Sequence, residues 1–254
     1  MSPVSGPIAS PVGYAAARTS AAGTARLLAA WCTGSSLPEA ADRRCEGVAD
    51  LATRRARVSQ SLFLTDRTAA ALMELGDGEP GLRESAEQME MIYDGANAYL
   101  RHADGWTGIS LTDPSGPLGP YDPLWPLDAL FGASENAAEI GPEAVRGVPT
   151  TRYRLTVDLA RADAALPAGV SVPSGPYRAL SRLPAEVWLD TAGLARRISV
   201  SSEPAAAADK QVWSIVEFWD FGLAVDITPP GPDEVLTPAE ASRPAEEEPP
   251  GRNA

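Results

Sequence analysis

One histidine, two cysteines and a glycine-rich hexapeptide are the obvious candidates for chemistry in this 254-residue sequence. A hydrolase triad would have to use His102, which lies between Arg101 and the turn residues Ala103-Asp104-Gly105. No G-x-S-x-G elbow accompanies it, so it reads as a turn histidine. Acid pairs such as Glu87 and Glu90 are common, and a carboxylate mechanism needs environments that separate their pKa values. Gly76-Asp77-Gly78-Glu79-Pro80-Gly81 matches G-x-G-x-x-G in form only. Asp77 and Glu79 would repel a pyrophosphate, Pro80 lacks an N–H, and no clear strand precedes the segment. Arg54, Arg55 and Arg57 form a small basic cluster that reads as solvated strand-end arginines rather than a phosphate site. Two cysteines and one histidine do not make an ordinary zinc site. Cys32 and Cys45 flank a polar loop between two strands. They could be a disulfide, worth about 3 kcal/mol for a loop of this size, or two thiols in a reducing compartment. The sequence therefore offers no catalytic residue, no metal and no cofactor.

Charge and hydropathy narrow the alternatives further. The net charge is −13, and an acidic body repels a phosphate backbone, which argues against nucleic-acid binding. No run approaches the ~18 apolar residues of a membrane span. The N-terminus lacks a basic region followed by an apolar core. Leu28-Ala29-Ala30-Trp31-Cys32 is not a lipidation site, because Trp31 is bulky where a small residue is needed. On this evidence the chain reads as cytoplasmic, or as one that lacks an export segment.

The elements that must position any site are mostly strands. Residues 1–8 read as a disordered N-terminus and 230–254 as a disordered acidic, Pro-rich tail, leaving one domain over 9–229. Val12 to Ala22 predicts a short helix ending at Gly23, followed by a strand with Leu27, Ala29 and Trp31 on one face. Alternation over Arg55 to Leu64 sets Ala56, Val58, Leu62 and Leu64 against Arg57, Ser59, Ser61 and Phe63. Thr65 to Leu75 reads as a short helix. Met89, Met91 and Tyr93 share a face, with Asp94-Gly95 as a hairpin turn. After a Pro/Gly-rich crossing, Leu127–Ala133 reads as helix and the segment through Pro142 as loop. Thr151, Tyr153, Leu155 and Val157 then share a face, and Leu159–Leu166 predicts a helix. Val187 and Leu189 oppose Glu186, Trp188 and Asp190 in a strand closed by Asp190-Thr191-Ala192-Gly193, a type I turn with a glycine bulge. The last strand, Lys210 to Phe221, is apolar on both faces and must be buried on both.

Four stretches carry a family resemblance: Gly47–Leu62, Met91–Trp106, Pro126–Leu159 and Leu183–Val200. They resemble actinobacterial lipoproteins of the LppX/LprG type, relatives of the lipoprotein carrier LolA. The fold expected is α+β and β-rich: a curved antiparallel half-barrel of about ten strands in meander order, with short helices on its concave face. The resemblance implies a non-catalytic carrier whose cavity takes a lipid or other apolar small molecule, and it implies a cell-envelope setting. The expected apolar lining is Trp31, Leu62, Met89, Met91, Tyr93, Tyr153 and Val187. That their faces converge is implied by the resemblance, not by spacing. The alternative is a protein-interaction module of the same fold with a filled core, whose partner is a protein.

Overall fold

The computed structural model describes residues 11–34, 38–41, 43–62, 89–111, 122–134, 136–167, 181–201 and 211–237. The expected helix at 65–75, the glycine-rich hexapeptide at 76–81, residues 1–8 and the tail beyond 237 lie outside them.

An Ala-rich stretch with no β-branched run before Thr19 makes α1 (Ala15–Ala21). It ends at Gly23, whose φ of +79° turns the chain into β1 (Thr24–Thr33). Three antiparallel strands follow: β2 (Arg43–Asp50), β3 (Arg55–Leu62) and β4 (Met89–Asp94). β5 (Asn97–His102) and β6 (Gly105–Ser110) complete this half. The chain then crosses to the far side through α2 (Trp125–Ala129) and a 3-10 turn, Leu130–Gly132. It returns as β7 (Ala138–Val145), β8 (Val148–Asp158), α3 (Leu159–Ala165), β9 (Arg182–Leu189), β10 (Ala195–Ser201) and β11 (Val212–Trp219).

The eleven strands form one antiparallel sheet in the order β6-β5-β4-β3-β2-β1-β11-β10-β9-β8-β7. Its two edges, β6 and β7, are not paired with each other, so it is a curved half-barrel and not a closed barrel. The first and last strands meet at the centre, with Leu27 opposite Phe218 and Ala29 opposite Val216. The main core lies between the sheet's inner face and the helices. The helices pack chiefly on β8, β10 and β11. Gly132 makes one such approach possible, since a Cβ there would sit 2.0 Å from the carbonyl oxygen of Asp158.

The β9–β10 hairpin has the turn the sequence predicts. The Asp190 carboxylate accepts from the backbone N–H of Ala192 and Leu194, and Gly193 has φ +76°. β7 is the strand the sequence reading misses. It is an exposed edge interrupted by Gly141 and Pro142, and such interruptions are tolerated where a strand has only one neighbour.

Of the two alternatives left open for the cysteines the structure has the thiols, and one other expectation is corrected. Cys45 opposes Ala29 and so shares its inner face, whereas Cys32 lies three residues further along β1 and points to the other face. Side chains alternate along a strand, so these thiols cannot be bridged. Both cysteines are free and buried, and burial pushes the Cys45 thiol up to about 12. The tail also starts later than residue 230. From Gly222 the chain runs along the outer face, where Ile227 packs with Ile92 and Trp106, and Val225 lies against the same cluster. Val235 bridges Trp106, and the Leu236 N–H donates to the Trp106 carbonyl at 2.8 Å.

Two measurements follow from this architecture. The native protein should leave a thiol reagent unconsumed, while the denatured, unreduced chain should titrate two thiols. Truncation after Thr237 should leave the thermal midpoint in place. Truncation after Pro230 should lower it by several degrees, because it uncovers Trp106 and the β6 edge.

Candidate functional site

The inner face is built by register. Met89 opposes Gln60, Gln60 opposes Cys45, and Cys45 opposes Ala29. Ala29 opposes Val216, Val216 opposes Ile198, Ile198 opposes Val187, and Val187 opposes Tyr153. One row thus spans eight strands from β4 to β8. A second row joins Leu100, Met91, Val58, Gly47, Leu27 and Phe218. Leu62 opposes Arg43, which opposes Trp31, and Tyr93 lies between Ala56 and Ala98. All seven residues expected to line a cavity therefore belong to registers of one sheet face.

Their burial divides them. Met91, Tyr93 and Val187 are almost fully shielded and Trp31 is 6% exposed, so they are core residues in this structure. Met89 and Tyr153 are half-buried. Seven strand spacings separate those two, about 34 Å measured along the curve of the sheet. Within this face the Tyr93 hydroxyl reaches the Met91 sulfur at 3.6 Å, and burial raises the Tyr93 pKa well above its usual value. His102 closes the β5–β6 hairpin opposite Gly105. Among the described residues no cluster of three or more metal-ligating side chains occurs.

Arg54 overturns its reading as a solvated arginine. It ends the β2–β3 turn with φ +56°, and its side chain is buried between Asp122 and Asp128. The Asp122 carboxylate accepts from Arg54 Nη2 at 3.1 Å and from the Leu124 N–H at 2.8 Å. This triad fastens the start of α2 to the sheet. Arg55 and Arg57 instead pair with Asp94 and Glu90 on the surface. Burial pushes the Asp128 carboxyl up to about 8, against the pull of Arg54 and with help from Asp122. No local pattern marks the triad, because Asp122 is 68 residues from Arg54.

The outer face of β7–β11 has different chemistry. Glu217 is held by Arg146 at 2.7 Å and Arg197 at 2.6 Å, and Glu186 by Arg152 at 2.5 Å and Arg154 at 3.1 Å. Arg152 and Arg197 also lie over the Trp188 ring, 4.9 and 5.3 Å from its centre. A face closed by such pairs suits water rather than an apolar ligand.

No family model matches the sequence, and none of the curated proteins compared with it matches. Among solved structures the chain is similar to LprF from Mycobacterium bovis, with 13% identity and a TM-score of 0.49 over 87% of this chain and 95% of that one. It is similar to the lipoprotein LppX from Mycobacterium tuberculosis, with 14% identity and a TM-score of 0.48 over 86% and 100%. A LolA superfamily protein from Nitrosomonas europaea follows at 10% identity and a TM-score of 0.31, over 84% and 92%.

The triad makes stability depend on pH. Asp128 keeps its proton up to about pH 8 in the folded chain, but only up to about pH 4 when unfolded. Between those values the folded state holds more protons, so this group's contribution weakens as pH rises. Asp128→Asn should shrink the difference in thermal midpoint between pH 5 and pH 8. Arg54→Met should cost about 3–5 kcal/mol, since it leaves buried acids without their cation.

Proposed function

We propose that this chain is a non-catalytic carrier that holds a lipid or acyl chain against the inner face of its half-barrel, in the setting of the cell envelope. The supporting observation is a mismatch of scale. Eleven strands span about 48 Å along the curve of the sheet. The described helices have seven, five and seven residues, each about 8–10 Å long. They gather on β8, β10 and β11, while the apolar rows continue to Met89, Met91 and Leu100 on the other half. A long, thin apolar ligand laid along those rows would run past the described helices and reach the half-buried side chains of Met89 and Leu100. Burying each methylene is worth ~0.8 kcal/mol, so a long acyl chain reaches useful affinity with few polar contacts. Methionine suits such a wall because its side chain adapts to irregular apolar shapes.

The test is native mass spectrometry of protein purified from its source, together with titration of a fluorescent fatty-acid probe. Co-purified lipid, and probe binding without conversion of the probe, are expected. Met89→Trp, made at a half-buried end of the row, should weaken probe binding about tenfold with little change in thermal midpoint. Absence of both lipid and probe binding would replace the carrier with the protein-interaction module.

A further inference from the structure

Gln60 is an inner-face residue that core packing does not explain. It lies in the middle of β3, opposite Cys45 on one side and Met89 on the other. Its side chain is wholly shielded, and among the described residues neither its amide oxygen nor its amide nitrogen has a hydrogen-bond partner. A buried amide with nothing to bond destabilises the chain that carries it, and a leucine or methionine would fill the same space without that penalty. Its strand neighbours offer little. The Cys45 thiol stays protonated to about pH 12 and the Met89 thioether is a weak acceptor. Arg43, two register pairs further along β2, has an interaction of its own.

Resting on the carrier reading above, we propose that Gln60 is the polar anchor for the ligand's head group, and that this head is a neutral acyl carbonyl with a neighbouring hydroxyl. The amide N–H donates to the carbonyl oxygen, and the amide oxygen accepts from the hydroxyl. The pairing uses both halves of the side chain and adds no charge to an apolar wall. An ionised carboxylate satisfies only the donor half. It leaves the amide oxygen unmatched and must itself be desolvated. A partial acylglycerol and a protonated fatty acid both carry the required pair. Apolar pockets generally fix a ligand's orientation with a few such polar groups.

The test compares wild type with Gln60→Leu and Gln60→Met, using monooleoylglycerol, oleic acid and the headless chain octadecene as probes. Both variants should fold and melt no lower than wild type. Each should bind monooleoylglycerol about tenfold more weakly while octadecene binding is unchanged. If the natural head is an acid, wild-type affinity for oleic acid falls as pH rises through its titration and exceeds that for monooleoylglycerol at low pH. If it is an acylglycerol, monooleoylglycerol binds more tightly at every pH. Unchanged monooleoylglycerol affinity in both variants, with the wild type binding octadecene, would overturn the anchor and leave the carrier intact. A wild type that binds none of the three probes would overturn the carrier reading itself.

Discussion

The pairing of β1 with β11 is the constraint on which the rest of the structure depends. It brings the first and last strands together at the centre of the sheet, in eight consecutive register pairs from Arg26–Trp219 to Thr33–Val212. Both strands are apolar on both faces, as central strands must be when each face carries a layer. Leu27, Ala29 and Phe218 face the main core, while Leu28, Ala30 and Ile215 form a second cluster behind it. With the ends joined there, the meander has to run outward to β6, cross the inner face, and return from β7. The crossing, which carries α2, is a topological consequence of that pairing.

The crossing needs an attachment, and the Arg54–Asp122–Asp128 triad supplies one. Two carboxylates around one guanidinium leave an excess acid in a dry place, and the Asp128 proton removes it. Burying ions is a poor way to gain stability, since desolvation offsets most of the attraction. It is an effective way to fix position, because a displaced α2 would leave Arg54 buried without a counter-charge.

The two faces of the sheet divide the chemistry. Outside, Arg/Glu pairs and arginines over Trp188 and Trp219 cover the β7–β11 half, and the strap through Ile227 and Leu236 covers the other. Inside, the rows are mostly apolar from strand to strand, with Gln60, Arg43 and Ser214 among the polar exceptions. Such asymmetry sets ion pairs over much of the outer face and a continuous apolar core against the inner one.

Local chemistry in the sequence determined most of the strands and several of the turns. Alternation placed Leu27, Ala29 and Trp31 on one face, and Asp190 and Gly193 dictated the β9–β10 turn, because these are interactions between residues a few positions apart. The double-sided apolar pattern of β11 likewise showed that it had to be buried on both faces. Only the tertiary structure decided what depends on register between distant strands. The side on which each cysteine falls is one such matter, since a single-residue change of parity separates a disulfide from two isolated thiols. The burial of Arg54 is another, because its acids come from a remote segment. β7 was hidden because an edge strand tolerates Gly141 and Pro142, residues that normally mark a loop. The same holds for Gln60: in sequence it is one more residue of an alternating strand, and its isolation exists only once Cys45 and Met89 are paired on either side of it.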